Sequence, residues 1–238
     1  MAIRLLMLIS LLSMALLIHG CSFGGDPPPD PEPEGPGLYF PLKEGTNWTY
    51  RCVEPNSVGD DSIYTLVKTI TNRLFVSLDS ATTYEPPFNP AVPWFRQSDS
   101  DSSYYQNDGT FIWMGQISDD LASFGYNGFV PLRVLPIHYE DYDSFATVVY
   151  KGSGVFRVKI VFAVNVIDSL EDIETEMGTF FDCVRVETFL SDSSLLGMNT
   201  TLSTIWFADS IGAVKRHDHT TTGTSNVYYE ELIDYSIE

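Results

Sequence analysis

Histidine, the side chain best suited to acid–base and metal chemistry at neutral pH, is scarce here. The chain has four, and only His138, His217 and His219 lie beyond its N-terminal leader. His217-Asp218-His219 has metal-ligand spacing, because residues two apart on a strand share a face and both imidazoles can reach one ion. A centre needs one or two further ligands that this spacing does not supply. The expected reading is therefore a polar strand end following Lys215-Arg216, with no metal and no cofactor assigned. His138 lies in Pro136–Asp143 (PIHYEDYD) beside three acids, without a partner motif, and reads as a loop. Ser98–Ser103 (SDSDSS) suggests calcium, but an EF-hand counted from Asp99 needs glycine sixth and glutamate twelfth. Tyr104 and Thr110 stand at those positions. No Gly-x-Ser-x-Gly elbow presents a serine nucleophile, and no glycine-rich phosphate loop is present. These residues give no catalytic constellation, and the chain is expected not to be an enzyme. A metal-dependent enzyme built on His217 and His219 is the weakest alternative.

Cys21 carries a different chemistry. Arg4 is followed by an uncharged, mostly apolar run from Leu5 to Ile18, then His19-Gly20-Cys21. That run is too short for a comfortable membrane span and reads as a secretory signal peptide. Leu17-Ile18-His19-Gly20-Cys21 resembles the lipobox of bacterial lipoproteins, in which the cysteine is diacylated and becomes the new N-terminus. The resemblance implies lipid attachment at Cys21 and anchoring to a bacterial membrane. Ser22, unlike an aspartate at that position, implies the outer membrane where the source has two.

Beyond Cys21, Asp26–Gly37 (DPPPDPEPEGPG) holds six of the chain's fourteen prolines, interleaved with acids. Such a segment cannot bury enough apolar surface to offset its ordering entropy. It should form an extended tether reaching ~3 nm at ~3.1 Å per residue. The organisation expected is thus a signal peptide over 1–20, a lipidated cysteine and tether over 21–37, and one β-domain over 38–238.

The formal charge is −19, and loss of Arg4 with the leader, which contains no acid, takes it to −20. No basic stripe is present to neutralise phosphates, so nucleic acid is not an expected partner. An anionic membrane surface should also repel the globule, leaving the lipid as its bilayer contact. Of the three cysteines, Cys52 and Cys183 remain once Cys21 is acylated. Both lie in apolar, strand-like runs. In an oxidising compartment they could close a disulfide; otherwise they pack as small apolar thiols.

The elements that must position all this read as strands. Trp48, Tyr50 and Cys52 alternate with Thr49 and Arg51, giving a half-buried strand after the turn at Glu44–Asn47. Ile63–Ile70 and Arg73–Leu78 suggest a hairpin about Thr71-Asn72. Tyr84–Pro93, with four prolines, should be a loop or a poorly paired edge. Tyr104–Gln106 and Thr110–Met114 flank Asn107-Asp108-Gly109, a strong hairpin turn. Ser118–Phe124 has some helical character. Further strands are expected at Ser144–Tyr150, Val155–Val166, Glu171–Glu176, Phe180–Phe189, Thr200–Phe207, Ala213–Arg216 and Val227–Ile237. On the last, Tyr229, Glu231, Ile233 and Tyr235 are expected to face inward. The fold class is all-β and antiparallel, a single strongly curved sheet or incomplete barrel, since so many aromatics need a deep interior.

Three stretches carry a family resemblance. They are Tyr39-Phe40-Pro41-Leu42 with Gly45, Trp48 and Tyr50; Gly178-Thr179-Phe180 followed by Cys183-Val184-Arg185-Val186; and Ile205-Trp206-Phe207-Ala208 with Ile211-Gly212 and Val214-Lys215. In that order they resemble the opening, middle and closing motifs of a broad group of uncharacterised bacterial lipoproteins and exported β-domains. The resemblance implies fold and export, and no activity. Gly45, Gly178 and Gly212 with Trp48, Phe180 and Trp206 are expected to serve packing. Two functions remain. One is a non-enzymatic envelope lipoprotein whose β-domain presents a surface to other envelope proteins. The other is a carrier whose half-barrel holds an apolar ligand.

Overall fold

The alternation at Trp48, Tyr50 and Cys52 appears in three dimensions as a strand with those three side chains buried and Thr49 and Arg51 only half-buried. The structure, a computed structural model, describes residues 39–55, 60–74, 82–87, 89–98, 103–117, 129–152, 158–194, 197–220 and 227–238. The signal peptide, Cys21, the tether, Asp99–Ser102 and the Ser118–Phe124 segment lie outside the described residues.

The strands are β1 (Asn47–Pro55), β2 (Asp61–Leu74), β3 (Thr82–Glu85), β4 (Trp94–Ser98), β5 (Tyr104–Asn107), β6 (Phe111–Ile117) and β7 (Phe129–Pro136). They continue as β8 (Ser144–Lys151), β9 (Val158–Thr175), β10 (Gly178–Ser194), β11 (Gly197–Ala208), β12 (Gly212–Thr220) and β13 (Val227–Ser236). A short 3-10 turn, Tyr139–Asp141, follows β7. All pair antiparallel in one sheet of thirteen strands, ordered β3-β8-β9-β10-β11-β12-β13-β1-β2-β4-β5-β6-β7. The β1–β13 ladder joins the two halves of the chain. The sheet curls until β7 comes against β8, β9 and β10, yet among the described residues no ladder joins its two ends, β3 and β7. It is a strongly curved sheet and not a barrel.

Two apolar clusters fill the curl. Trp48, Tyr50, Ile70, Phe207 and Leu232 belong to one, and Trp94, Phe111, Trp113, Val149 and Ala163 to the other. The turn between β5 and β6 forms as Asn107-Asp108-Gly109 predicts. Gly109 has φ +87°, and the Asp108 carboxylate accepts the backbone N–H groups of Thr110 and Phe111, each at 2.8 Å. Gly212, at φ +110°, lies under the Trp48 indole, where an added Cβ would stand 3.3 Å from Nε1.

Three expectations need correction. Thr71-Asn72 is not a hairpin turn: β2 runs unbroken to Leu74, beyond the end of its β1 ladder at Thr69, and pairs on its other edge with β4, with an irregularity between Ile70 and Asn72. Val155–Val166 and Glu171–Glu176 are not separate strands, because β9 runs continuously from Val158 to Thr175. The inward face of β13 is also different. Glu230 and Leu232 are buried and Tyr229 is exposed. The cause is a register shift: Tyr50 pairs with Leu232 while Thr49 pairs with Asp234, so one extra residue, Ile233, is accommodated and the alternation changes phase. Tyr235 therefore does pack on the core, as expected, although Tyr229 does not. Tyr84 sits in β3, an edge strand paired with β8 alone, which agrees with a poorly paired edge.

Candidate functional site

Where β5–β7 face β10–β12 across the curl, the side chains do not meet fully and leave a cavity of about 110 Å³. One wall is set by Tyr105, Ile112, Met114, Leu132 and Val134, and the other by Leu190, Ile205, Phe207 and Ala213. Apolar side chains thus line the void as well as fill the core, which is what a ligand-holding half-barrel requires.

Polar side chains reach the cavity as well, among them Asn165, Thr188, Ser203 and four charged residues. Lys68 reaches in from β2 and donates to both carboxylate oxygens of Glu230 on β13, at 2.9 and 2.8 Å, with both residues buried. The Tyr228 hydroxyl adds a third donor to Glu230 at 2.6 Å. Burial alone would raise the Glu230 carboxyl, but Lys68 and Arg216 outweigh it and hold the group below its ordinary range. Arg216 is itself engaged by Asp218, with Nε donating at 2.9 Å and Nη2 at 2.7 Å.

Arg133 on β7 differs from these two cations. Its guanidinium lies over the rings of Phe111 and Phe145, at 4.5 and 5.4 Å from the centroids, and Nη2 donates to the Ala146 carbonyl. Its Nε is buried without a hydrogen-bond partner, and no ion pair to it occurs among the described residues. The nearby Asp108 carboxylate is occupied by Trp113 Nε1 at 2.6 Å and by two backbone amides. Burial depresses the guanidinium's proton affinity, with partial compensation from Tyr142 and Asp108.

No family model matches the chain, and no curated protein matches it. Two solved structures resemble it in shape. One, from Parabacteroides distasonis, is provisionally described as a lipoprotein; it is 12% identical, with a TM-score of 0.46 over 83% of this chain and 98% of that one. The other, from Bacteroides fragilis, is provisionally described as an exported protein with a YmcC-like fold; it is 15% identical, with a TM-score of 0.42 over the same shares.

The histidines and cysteines singled out in the sequence do not line the cavity, whereas Phe40, Ile205 and Phe207 of the family-like motifs do. His217 and His219 share a face of β12 with ring centroids 4.1 Å apart, and His217 stacks on Tyr229 at 4.2 Å. They sit in the last four residues of β12, which is paired with β11 and β13 up to that end. Among the described residues no group of three potential metal ligands occurs. His138 is exposed, with Nδ1 3.8 Å from Glu140. Cys52 and Cys183 are buried free thiols and not a disulfide. Each has its own partner: Cys52 Sγ lies 3.5 Å from the Tyr228 hydroxyl, and Cys183 donates to the Phe180 carbonyl at 3.5 Å. Burial raises both thiols, Cys183 to about 11, so neither is a ready nucleophile at neutral pH.

Trp48 is the expected core anchor, fully buried, with its indole N–H donating to the Ile211 carbonyl at 2.5 Å. Trp206 is only half-buried. It donates to Glu171 at 2.9 Å, and that bond, with Arg185, holds the Glu171 carboxyl below its usual range although burial opposes it.

Sequence reasoning missed Lys68, Arg133, Asn165 and Glu230. Arg133 and Asn165 are single polar residues set within apolar runs, VPLRVLP (Val130–Pro136) and FAVNVI (Phe162–Ile167), whereas Lys68 and Glu230 have polar neighbours in Thr69 and Glu231. That interruption is the signal that could have found Arg133 and Asn165, because a polar group placed inward must be partnered or functional.

Proposed function

We propose that this chain is a non-enzymatic, exported binder of a small apolar ligand, anchored to a bacterial membrane through acylated Cys21 and held off it by the Pro-rich tether. Export and anchoring rest on the leader and the lipobox-like sequence. Membership of the lipoprotein group rests on the Tyr39–Tyr50, Gly178–Val186 and Ile205–Lys215 motifs. Sorting to the outer membrane rests on Ser22. The binding function is carried by one observation, the apolar cavity between β5–β7 and β10–β12. A cavity of about this size costs stability through lost contacts. It is therefore better explained as a site than as a packing choice.

The test titrates the full chain in lipid nanodiscs with benzene as the probe, followed by calorimetry against protein-free nanodiscs. Saturable one-to-one binding, abolished by Met114→Trp at an unchanged unfolding midpoint, is the expected result. Probe binding unaffected by that variant would reject the cavity as the site.

A second reading, a surface for envelope proteins, is favoured by the outer face of β2. Ile63 and Val67 are 61% and 51% exposed there. A pull-down from solubilised membranes that loses its partner on Ile63→Ser with Val67→Ser would support it.

A further inference from the structure

Three basic side chains reach the cavity wall, and two of them are already neutralised. Glu230 takes up Lys68 through both oxygens, and Asp218 takes up Arg216 through two nitrogens. Arg133 is left over. It is a rigid fork of donors held by two aromatic faces and one carbonyl, with a buried Nε that lacks a partner. In a chain of net charge −19, a half-buried cation beside an apolar void, with no ion pair among the described residues and only the occupied Asp108 carboxylate nearby, needs an explanation. A planar carboxylate suits a guanidinium, which recognises it by parallel hydrogen bonds.

We infer that the cavity's ligand is a small apolar monoacid, its single carboxylate held by Arg133 and its hydrocarbon part by the walls that include Met114, Leu132, Leu190 and Phe207. This rests on the cavity being the ligand site proposed above. Size bounds the tail: an apolar cavity of ~150 Å³ accepts a benzene ring, so about 110 Å³ takes at most a small ring or a chain of about five carbons, the tail of hexanoate. Charge sets the head. The protein's negative field opposes polyanions, whereas a single carboxylate can be matched by the one cavity cation that has no ion pair among the described residues. The wall also excludes a cationic head, which would meet Arg133 without an available acid.

The test is titration calorimetry of the full chain in nanodiscs against hexanoate and hexanamide, which share a tail and differ in head charge, with protein-free nanodiscs as blank. The expected result is hexanoate binding tighter than hexanamide by at least about tenfold, the scale of a hydrogen bond to a charged group. Arg133→Met should abolish that preference while keeping hexanamide binding. Equal affinities in the wild type would overturn the acid assignment and leave the cavity reading intact. Failure of both to bind the wild type would overturn the cavity reading and the assignment with it. Because the wild-type comparison is decisive, a poorly folded Arg133→Met would not rescue the inference. Arg133→Lys, which keeps the charge without the fork, should retain a weaker preference for the acid.

Discussion

Asn165 on β9 donates its side-chain N–H to the backbone carbonyl of Arg133 on β7 at 3.0 Å, across the seam where the sheet's ladders do not continue. The Arg133 N–H in turn donates to Thr147 Oγ1 on β8 at 3.1 Å. Both partner side chains are buried, and Thr188 donates its hydroxyl to Asn165. Two side chains thereby satisfy the backbone of one residue of an edge strand, closing the curl where no strand pairs. The same contacts place the Arg133 guanidinium against the cavity.

Removing that stitch should be costly. Asn165→Leu leaves the Arg133 carbonyl and the Thr188 hydroxyl without their partner, at ~1–3 kcal/mol for each buried group. Urea unfolding should show a clearly lowered midpoint, and an unchanged midpoint would contradict the role given to Asn165.

Lys68 and Glu230 should behave as a unit. Glu230→Gln strands a buried lysine and should cost about 3–5 kcal/mol, whereas Lys68→Met combined with Glu230→Leu should recover much of that. The pair also makes a pH prediction. The folded carboxyl lies below its unfolded value of about 4.3, so its stabilisation is present above that pH and is lost as pH falls toward the lower folded value. Glu230→Gln should flatten stability against pH below about 4.3. An acid limb unchanged by the substitution would contradict this.

His217 gives a second window. Burial first, and His219 next, hold its imidazole below the ordinary range. A histidine depressed on folding binds fewer protons than in the unfolded chain, so stability falls as pH drops below about 6.5. His217→Phe should keep the stack on Tyr229 and remove this loss, measured by comparing unfolding midpoints at pH 7.5 and 5.5. An equal loss in both proteins would count against it.

The two tryptophans should separate. Trp48→Ala removes a fully buried ring and should cost about 3–5 kcal/mol. Trp206→Ala, at a half-buried site, should cost about 1–2 kcal/mol. Equal shifts in urea midpoint would contradict the burial difference.

The strands were legible because alternation is a local property: Trp48, Tyr50 and Cys52 declare their face without reference to any neighbour. The β5–β6 hairpin was legible for the same reason, since Asn107-Asp108-Gly109 specifies its own turn. What was not legible depends on register. One accommodated residue at Ile233 turns the face of β13 over, and nothing local at that position announces it. Thr71-Asn72 reads as a turn, yet the β4 ladder carries β2 straight through it to Leu74. The site escaped because its members come from distant strands. Lys68 and Glu230 are joined only by the pairing of β1 with β2 and β13, and Arg133 and Asn165 only by the curl. The histidines drew attention by spacing, while the cavity's walls are ordinary apolar strand residues and Arg133 and Asn165 are single polar residues within apolar runs.

The anchor is tested directly by its residue. Cys21→Ala should leave the chain without acyl groups and release it from membranes or leave it unprocessed, since stable anchoring generally needs more than one buried chain. Mass spectrometry of the mature N-terminus decides, and a wild-type protein with unmodified Cys21 would contradict the anchor.

The central claim, that the curled sheet holds a guest between its walls, is tested most directly by methionine-methyl NMR. Met114 lines the cavity and Met177 lies exposed at the β9–β10 turn, 41% accessible, so one labelled sample of the full chain carries a reporter and its control. On titration with toluene, the account predicts a saturable shift of the Met114 methyl with Met177 unmoved. A Met114 signal that stays fixed, or moves only in step with Met177, would contradict it.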